Sequence, residues 1–264
     1  MYPRLFSIGP FTLHTYGVLM AVAFLLGLWV ATRQARRAGL DAARVADLGV
    51  YSLIAGLLGA KLMLLVVDWR YYSSHTREVL SLFQSAGVFY GGLLLGVPVA
   101  LWVARRAGLP LWPTLDVLAP GVAIGQSVGR LGCLAAGCCY GKPSGSPWAI
   151  TFRDAYATRT IGTPTDMPLH PTQIYESLLT LGLFLALIWL APRKKFHGQI
   201  AAVYLIAYAV LRFGLEYLRG DANRGSVFHG ALSTSQLIAI IVVIATVGIL
   251  PYLVKRQRIA PPSE

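Results

Sequence analysis

The chain has 264 residues, 56% of them hydrophobic and 13% charged, with a mean hydropathy of +0.60. Soluble domains carry about 25% charged residues, so an ordinary soluble enzyme and a disordered chain are both excluded. The net charge of +12 fits either a nucleic-acid partner or a membrane protein with cations at its span ends, and the positions of the charges must separate the two.

Residues 1–10 hold Arg4 and two prolines and lead into an apolar run without a small-residue cleavage site, so no cleavable signal peptide is read there. Seven stretches then have the length and apolarity of spanning helices: 13–32, 47–67, 86–104, 115–135, 172–191, 198–218 and 235–254. The fourth is the least apolar, with several glycines and Arg130 inside it. None alternates as a barrel strand would, so the class is an all-α integral membrane protein with seven transmembrane helices. The chain reads as one polytopic membrane domain over 1–264, with a longer loop at about 138–170 and a basic, then Pro-rich, tail at 255–264.

The cations sort by span. Arg33, Arg36, Arg37, Arg44, Arg105, Arg106, Arg193, Lys194, Lys195, Lys255, Arg256 and Arg258 follow odd-numbered spans. Arg4, Arg70, Arg77, Lys142, Arg153, Arg159, Arg219 and Arg224 fall on the other side, and three of them lie in the long loop, where the positive-inside bias is weak. The expected orientation therefore has the N-terminus outside and the C-terminus in the cytoplasm. Short cation clusters at span ends are what topology requires, so a nucleic-acid partner is not expected.

Lys61, Arg130 and Arg212 remain inside spans, where an ionisable group needs a partner or a polar cavity. In the expected orientation they lie in the outer half. So do His14 and Tyr16 of span 1, Phe89, Tyr90, Gly91 and Gly92 of span 3, His170, Gln173, Tyr175 and Glu176 of span 5, and Glu216 and Arg219 of span 6. The polar chemistry converges on the outer leaflet.

Several residues keep two readings. Arg212, Glu216 and Arg219, spaced i, i+4, i+7, are a salt-bridged stripe or part of a site. Glu176 pairs an in-membrane cation alone or has a part in the site as well, and Lys61 snorkels outward or meets a carboxylate. Arg130 is flanked by Gly125, Gly129, Gly132, Gly137 and Gly141. Small residues allow close helix packing, and beside an arginine they also let a bulky ligand approach the backbone. A guanidinium binds phosphate bidentately at any pH. The expected ligand is anionic, amphipathic and enters from the outer leaflet.

Gly129-Arg-Leu-Gly132, Tyr16-Gly17, Gly91-Gly92, His170-Pro-Thr-Gln-Ile-Tyr-Glu176 and Arg212-x3-Glu216-x2-Arg219 together resemble the prolipoprotein diacylglyceryl transferase family, in order over about residues 10–225. The resemblance implies a seven-helix membrane bundle with periplasmic elements in a bacterial inner membrane. It implies transfer of a diacylglyceryl group from phosphatidylglycerol to the lipobox cysteine of a prolipoprotein, giving a thioether and glycerol phosphate. The implied partners are phosphatidylglycerol, the prolipoprotein signal peptide and bilayer lipid, with no cofactor. The implied catalytic residues are Arg130, Arg212, Tyr16, Tyr90, Glu216 and His170. The implied substrate-binding residues are Arg130, Arg212, Arg219, Gly91, Gly92, Gly129, Gly132, Cys133 and Gly141. The chain departs from the family pattern at Tyr90, where a His is common, at Cys133, where an Asn is common, and at Gly137-Cys-Cys-Tyr-Gly141, which replaces an Asn-Gly-Glu-like run.

The departures leave the general base open. A neutral tyrosine has a pKa of about 10 and is a poor base unless cations depress it, so Tyr90 alternatively hydrogen-bonds the headgroup. His170, before Pro171, is also a helix-start residue, Glu216 also pairs Arg212, and His14 also reads as interfacial. His75, His197 and His229 lie in loops and are given no role. The cysteines are inert thiols, a Cys133–Cys138 or Cys133–Cys139 bridge, or catalytic thiols. No further His or Cys stands at ligand spacing, so no metal site is expected. Three rivals are weighed. A lipid carrier or scramblase would need no base. A thiol oxidoreductase would need a Cys-x-x-Cys pair or quinone site that is absent from the sequence. A seven-helix receptor would not need the arginines.

Overall fold

The computed structural model describes residues 3–8, 11–75, 87–221, 225–227 and 231–259. Arg77, Arg224 and His229 of the sequence reading, and 260–264 of the tail, lie outside them. In chain order the elements are β1 (Arg4–Ile8), β2 (Phe11–His14), α1 (Thr15–Arg37), α2 (Ala42–Val67), α3 (Trp69–Ser74), α4 (Phe89–Arg106), α5 (Leu111–Ala136) and β3 (Ile150–Thr151). Next come α6 (Ala155–Ile161), β4 (Pro168–Leu169), α7 (Thr172–Leu190), α8 (Gln199–Glu216), β5 (Ser226–Val227), β6 (Leu232–Ser233) and α9 (Thr234–Arg256). The strands pair as three short antiparallel ladders, β1 with β2, β3 with β4 and β5 with β6, all outside the long helices.

Six helices are long and apolar enough to cross a membrane: α1, α2, α5, α7 extended to Arg193, α8 and α9. The other expected span, 86–104, falls on α4, which has 18 residues and carries Arg105 and Arg106 in its last turn. Large apolar side chains face outward, among them Leu25, Val66, Leu94, Trp189 and Ile244. In water such a surface would drive aggregation; against lipid it is the expected exterior.

The chain divides into two compact units, residues 32–114 and residues 1–31 with 115–264. In the first, α2 packs along α4. A Cβ on Gly91 would collide with Met63 and the Gly59 carbonyl, and one on Gly92 would stand 3.0 Å from the Gly56 carbonyl. Asp41 caps α2, accepting from the N–H groups of Ala43 and Arg44 at 2.9 and 3.2 Å.

In the second unit α5 is the central helix, half of its most apolar window being buried. Gly121, Gly125, Gly129 and Gly132 recur every three or four residues and meet Gly27, Ala23, Met20 and Tyr16 of α1. A Cβ on Gly121 would stand 2.5 Å from the Gly27 carbonyl, so backbone approach explains the glycine there. On another side of α5, Ala119 and Ala123 join Leu183 and Leu187 of α7 and Ile200 of α8 in an apolar core. The α7–α8 pair continues to α9, which opens with a capping box: Gln236 N–H donates to Ser233 Oγ at 3.2 Å and Ser233 N–H to Gln236 Oε1 at 3.0 Å.

Candidate active site

The site grows from a polar face on α7. Thr172, Gln173, Glu176, Ser177 and Thr180 are all buried, on a helix that is otherwise apolar. Each must find a partner, because an unpaired polar group in the bilayer interior costs several kcal/mol. Ser177 exchanges hydrogen bonds with α5: its hydroxyl donates to the Ser127 carbonyl, and the Ser127 hydroxyl donates to the Ser177 carbonyl, both at 2.9 Å. One turn of α5 later stands Arg130. Its guanidinium meets Glu176 Oε1 at 2.9 Å, with the carboxylate side chain 3% exposed. Tyr208 of α8 donates to the same oxygen at 3.2 Å. The Tyr208 ring lies 5.8 Å from that of Tyr204 and nearly parallel to it, which limits its rotation.

Arg212 follows Tyr208 by one turn on α8. It pairs with Glu216 at 2.8 Å and donates to Ser235 of α9 at 3.3 Å. The Tyr208 hydroxyl is within electrostatic range of both Arg130 and Arg212. Two guanidiniums are thus anchored by carboxylates on one polar cluster drawn from α5, α7, α8 and α9. Each guanidinium has five N–H donors in a planar fork, so one carboxylate does not exhaust it.

The third member of the α8 stripe departs from the spacing. α8 ends at Glu216, and Arg219 turns instead to Asp221, donating at 2.9 and 2.7 Å in a bidentate pair. Burial alone would lower the Arg219 pKa, but the hydrogen bond to Asp221 and the neighbouring Cys139 raise it. The Arg219 backbone bridges Gly141, and Gly141 N–H donates to the His170 carbonyl at 3.0 Å. Lys142 N–H donates to the Leu218 carbonyl at 2.8 Å. A Cβ on Gly141 would stand 2.5 Å from His170 Cβ, so only glycine fits between the entry to α7 and the exit of α8. This three-segment clasp holds the ends of α5, α7 and α8 together.

The remaining expected residues are placed as follows. Tyr16 opens α1, with its ring against Gly132 and within electrostatic range of Arg130. Gly129 faces Met20. His170 Nδ1 lies 3.2 Å from the Tyr175 hydroxyl, which also accepts from Trp148 Nε1 at 2.6 Å. His14 Nε2 lies 2.9 Å from the Tyr156 hydroxyl. Cys133 is in the last turns of α5, and all three cysteines are free thiols. Tyr90, Gly91, Gly92 and Lys61 belong to the other unit; Tyr90 is half exposed, Lys61 is half-buried, and both glycines face α2.

Two concavities occur elsewhere, one of about 280 Å³ among Arg153, Arg159 and Asp166 and one of about 440 Å³ among Arg44, Tyr51 and Trp102. Neither contains Arg130 or Arg212, and the ion-pair network is the stronger guide, because buried charge must have a reason.

The family model described as prolipoprotein diacylglyceryl transferase matches residues 3–252. The chain belongs to that family. It is 34% identical over 255 residues to the phosphatidylglycerol–prolipoprotein diacylglyceryl transferase of Finegoldia magna, covering 96% of each chain. It is 33% identical to the protein of the same name from Synechococcus elongatus, over 91% of this chain and 83% of that one. The Clostridium tetani protein, also so named, is 31% identical over 98% and 99%. As a member of the prolipoprotein diacylglyceryl transferase family, the chain is a membrane enzyme, and nothing in these relatives favours a lipid carrier.

Sequence reasoning missed Tyr208 and the Ser127–Ser177 exchange. Tyr208 sits four residues before Arg212, a spacing that marks one helix face. It also missed Asp116, whose lone carboxylate in an apolar stretch was the available signal.

Proposed function

We propose that the chain transfers the diacylglyceryl group of phosphatidylglycerol to the lipobox cysteine of a prolipoprotein. The substrate thiol loses its proton, its sulfur forms a bond to the glyceryl carbon, and the carbon–oxygen bond to phosphate breaks. Glycerol phosphate leaves with the electron pair. Negative charge grows on the phosphate as that bond breaks, so donors fixed in advance around it lower the barrier. The observation that carries this reading is the anchored pair of arginines: Glu176 and Tyr208 orient Arg130, and Glu216 and Ser235 orient Arg212. Arg219 with Gly141 closes one end of the site, and Tyr16, Gly129 and Gly132 border Arg130. Glu216 and His170 are groups on this unit with the chemistry to accept the thiol proton.

The same reading has seven spans, with α4 as the third, an outside N-terminus, a cytoplasmic C-terminus and residence in a bacterial inner membrane. The lipid and the signal peptide then both enter sideways from the bilayer at the outer leaflet.

Incubating purified protein with phosphatidylglycerol and a lipobox peptide tests the reaction. A peptide mass gain of one diacylglyceryl unit is expected. Peptide left unmodified by folded protein that still carries lipid would overturn the transferase reading. Reporters fused to the C-terminus should be active only on the cytoplasmic side.

A further inference from the structure

The reaction proposed above assigns no bond-making step to the three cysteines, and the structure brings their sulfurs together. α5 ends at Ala136, and Gly137 takes a φ of 83° that turns the chain back. The N–H groups of Gly137 and Cys138 both donate to the Cys133 carbonyl, at 2.9 and 3.1 Å. Cys139 has a φ of 63°, a left-handed conformation that costs a residue with a Cβ about 1 kcal/mol. Two buried side chains of α7 hold this turn: Gln173 Nε2 donates to the Cys138 carbonyl and Thr172 Oγ1 to the Cys139 carbonyl, each at 2.7 Å. All three Sγ atoms consequently lie within 4.8 Å of one another.

Three further observations point to a ligand. The thiols are free and only half-buried, so an ion can reach them. Gln173 is 1% exposed, and its Oε1 is buried without a hydrogen-bond partner, which an ion or bound water commonly explains. Arg219 and Arg130 are within electrostatic range of Cys139 and offset thiolate charge.

We propose that Cys133, Cys138 and Cys139 form a three-thiolate site for a soft metal ion, Cu(I) in particular. Thiolates select soft ions. Structural zinc takes four N or S ligands, and among the described residues no His, Asp or Glu joins the cluster. Metal–sulfur bonds of about 2.3 Å in a trigonal plane place the sulfurs about 4 Å apart, so the observed cluster needs only small side-chain shifts. Binding releases the thiol protons to solvent and forms three metal–sulfur bonds with no change of oxidation state. Three thiolates with Cu(I) leave two negative charges beside the two arginines.

The test uses the full chain in nanodiscs, reduced, stripped of metal and titrated anaerobically with Cu(I) against a chromogenic Cu(I) chelator. One Cu(I) per chain is expected, with sulfur-to-copper absorption in the near ultraviolet, protection of all three thiols from alkylation and a raised melting temperature. C133S, C138S and C139S should each weaken capture at least about tenfold. A melting curve for each variant without copper shows that it is folded, so lost capture reports lost ligands. Copper left wholly with the chelator, capture unchanged in the folded triple variant, or preferential binding of Zn(II) would each overturn the proposal.

Discussion

α5 carries a buried ion pair near each end, and the two are built differently. Near its start, Asp116 is 3% exposed and accepts from Lys194 Nζ at 2.8 Å, from Gly198 N–H at 2.9 Å, from Ile200 N–H at 2.9 Å and from Ala201 N–H at 3.1 Å. Both oxygens are saturated, and the carboxylate serves as a borrowed N-cap for α8. Near its end, about 21 Å along the helix axis, Glu176 accepts from Arg130 and Tyr208 on one oxygen, and the Arg130 side chain is 21% exposed. The first arrangement saturates its carboxylate and fastens helices. The second fixes a guanidinium while leaving donors in hand. A buried charge pair alone does not distinguish structure from function; what does is whether the carboxylate is spent on the N–H groups of a helix start or on orienting a many-donor guanidinium.

Substitutions can break this contrast, and the largest effect is expected at the functional end. Arg130→Ala or Arg212→Ala should lower diacylglyceryl transfer at least about a hundredfold, the size found when one preorganised charge-stabilising donor is removed. Arg130→Lys should not restore it, because a point charge lacks the planar fork. Lipid-transfer rates read by mass spectrometry, expressed per folded molecule because each substitution also strands a buried carboxylate, are the check.

Asp116→Ala should do the reverse. It strands Lys194 and three N–H groups of α8, and a loss of stability of about 3 kcal/mol is expected. The melting temperature in detergent should drop clearly, while the fraction that remains folded keeps its turnover. A turnover loss as deep as that of Arg130→Ala at unchanged stability would erase the distinction between the two ends.

A smaller effect belongs to Tyr208→Phe. Removing one hydrogen bond to a charged group is worth about 2 kcal/mol, so transfer should fall about tenfold or more with little change in melting. Ser127→Ala, one turn before Arg130, should give the smallest change. It removes one of two exchanged hydrogen bonds with Ser177, costs about 1 kcal/mol in a melting curve, and leaves turnover within a factor of a few.

Much of this architecture was legible in the residues. The helices lie within a few residues of the expected spans because lipid imposes one length and one polarity on every crossing segment. Glu176 was expected to pair an in-membrane cation, and it does so with Arg130. The stripe of Arg212, Glu216 and Arg219 was only partly legible, since a helical face was assumed across a helix end at Glu216. The close packing of Gly91 and Gly92 against α2 was not legible, because it depends on the facing glycines Gly56 and Gly59.

The sequence by itself determined class, span positions and the short roster of charges that need an explanation, because apolar length and the cost of a buried charge are local properties. It also placed most of the cations in short clusters at the ends of apolar stretches, where they need no partner beyond the membrane surface. That Glu176 meets Arg130 rather than another cation was decided only by tertiary structure. So were the saturation of Asp116 by α8, the fit of Gly141 between His170 and Leu218, and the meeting of three sulfurs around a left-handed Cys139. Each depends on the rotation of one helix against another. That rotation is set by side-chain packing between segments far apart in the chain, which no periodicity within a single segment records.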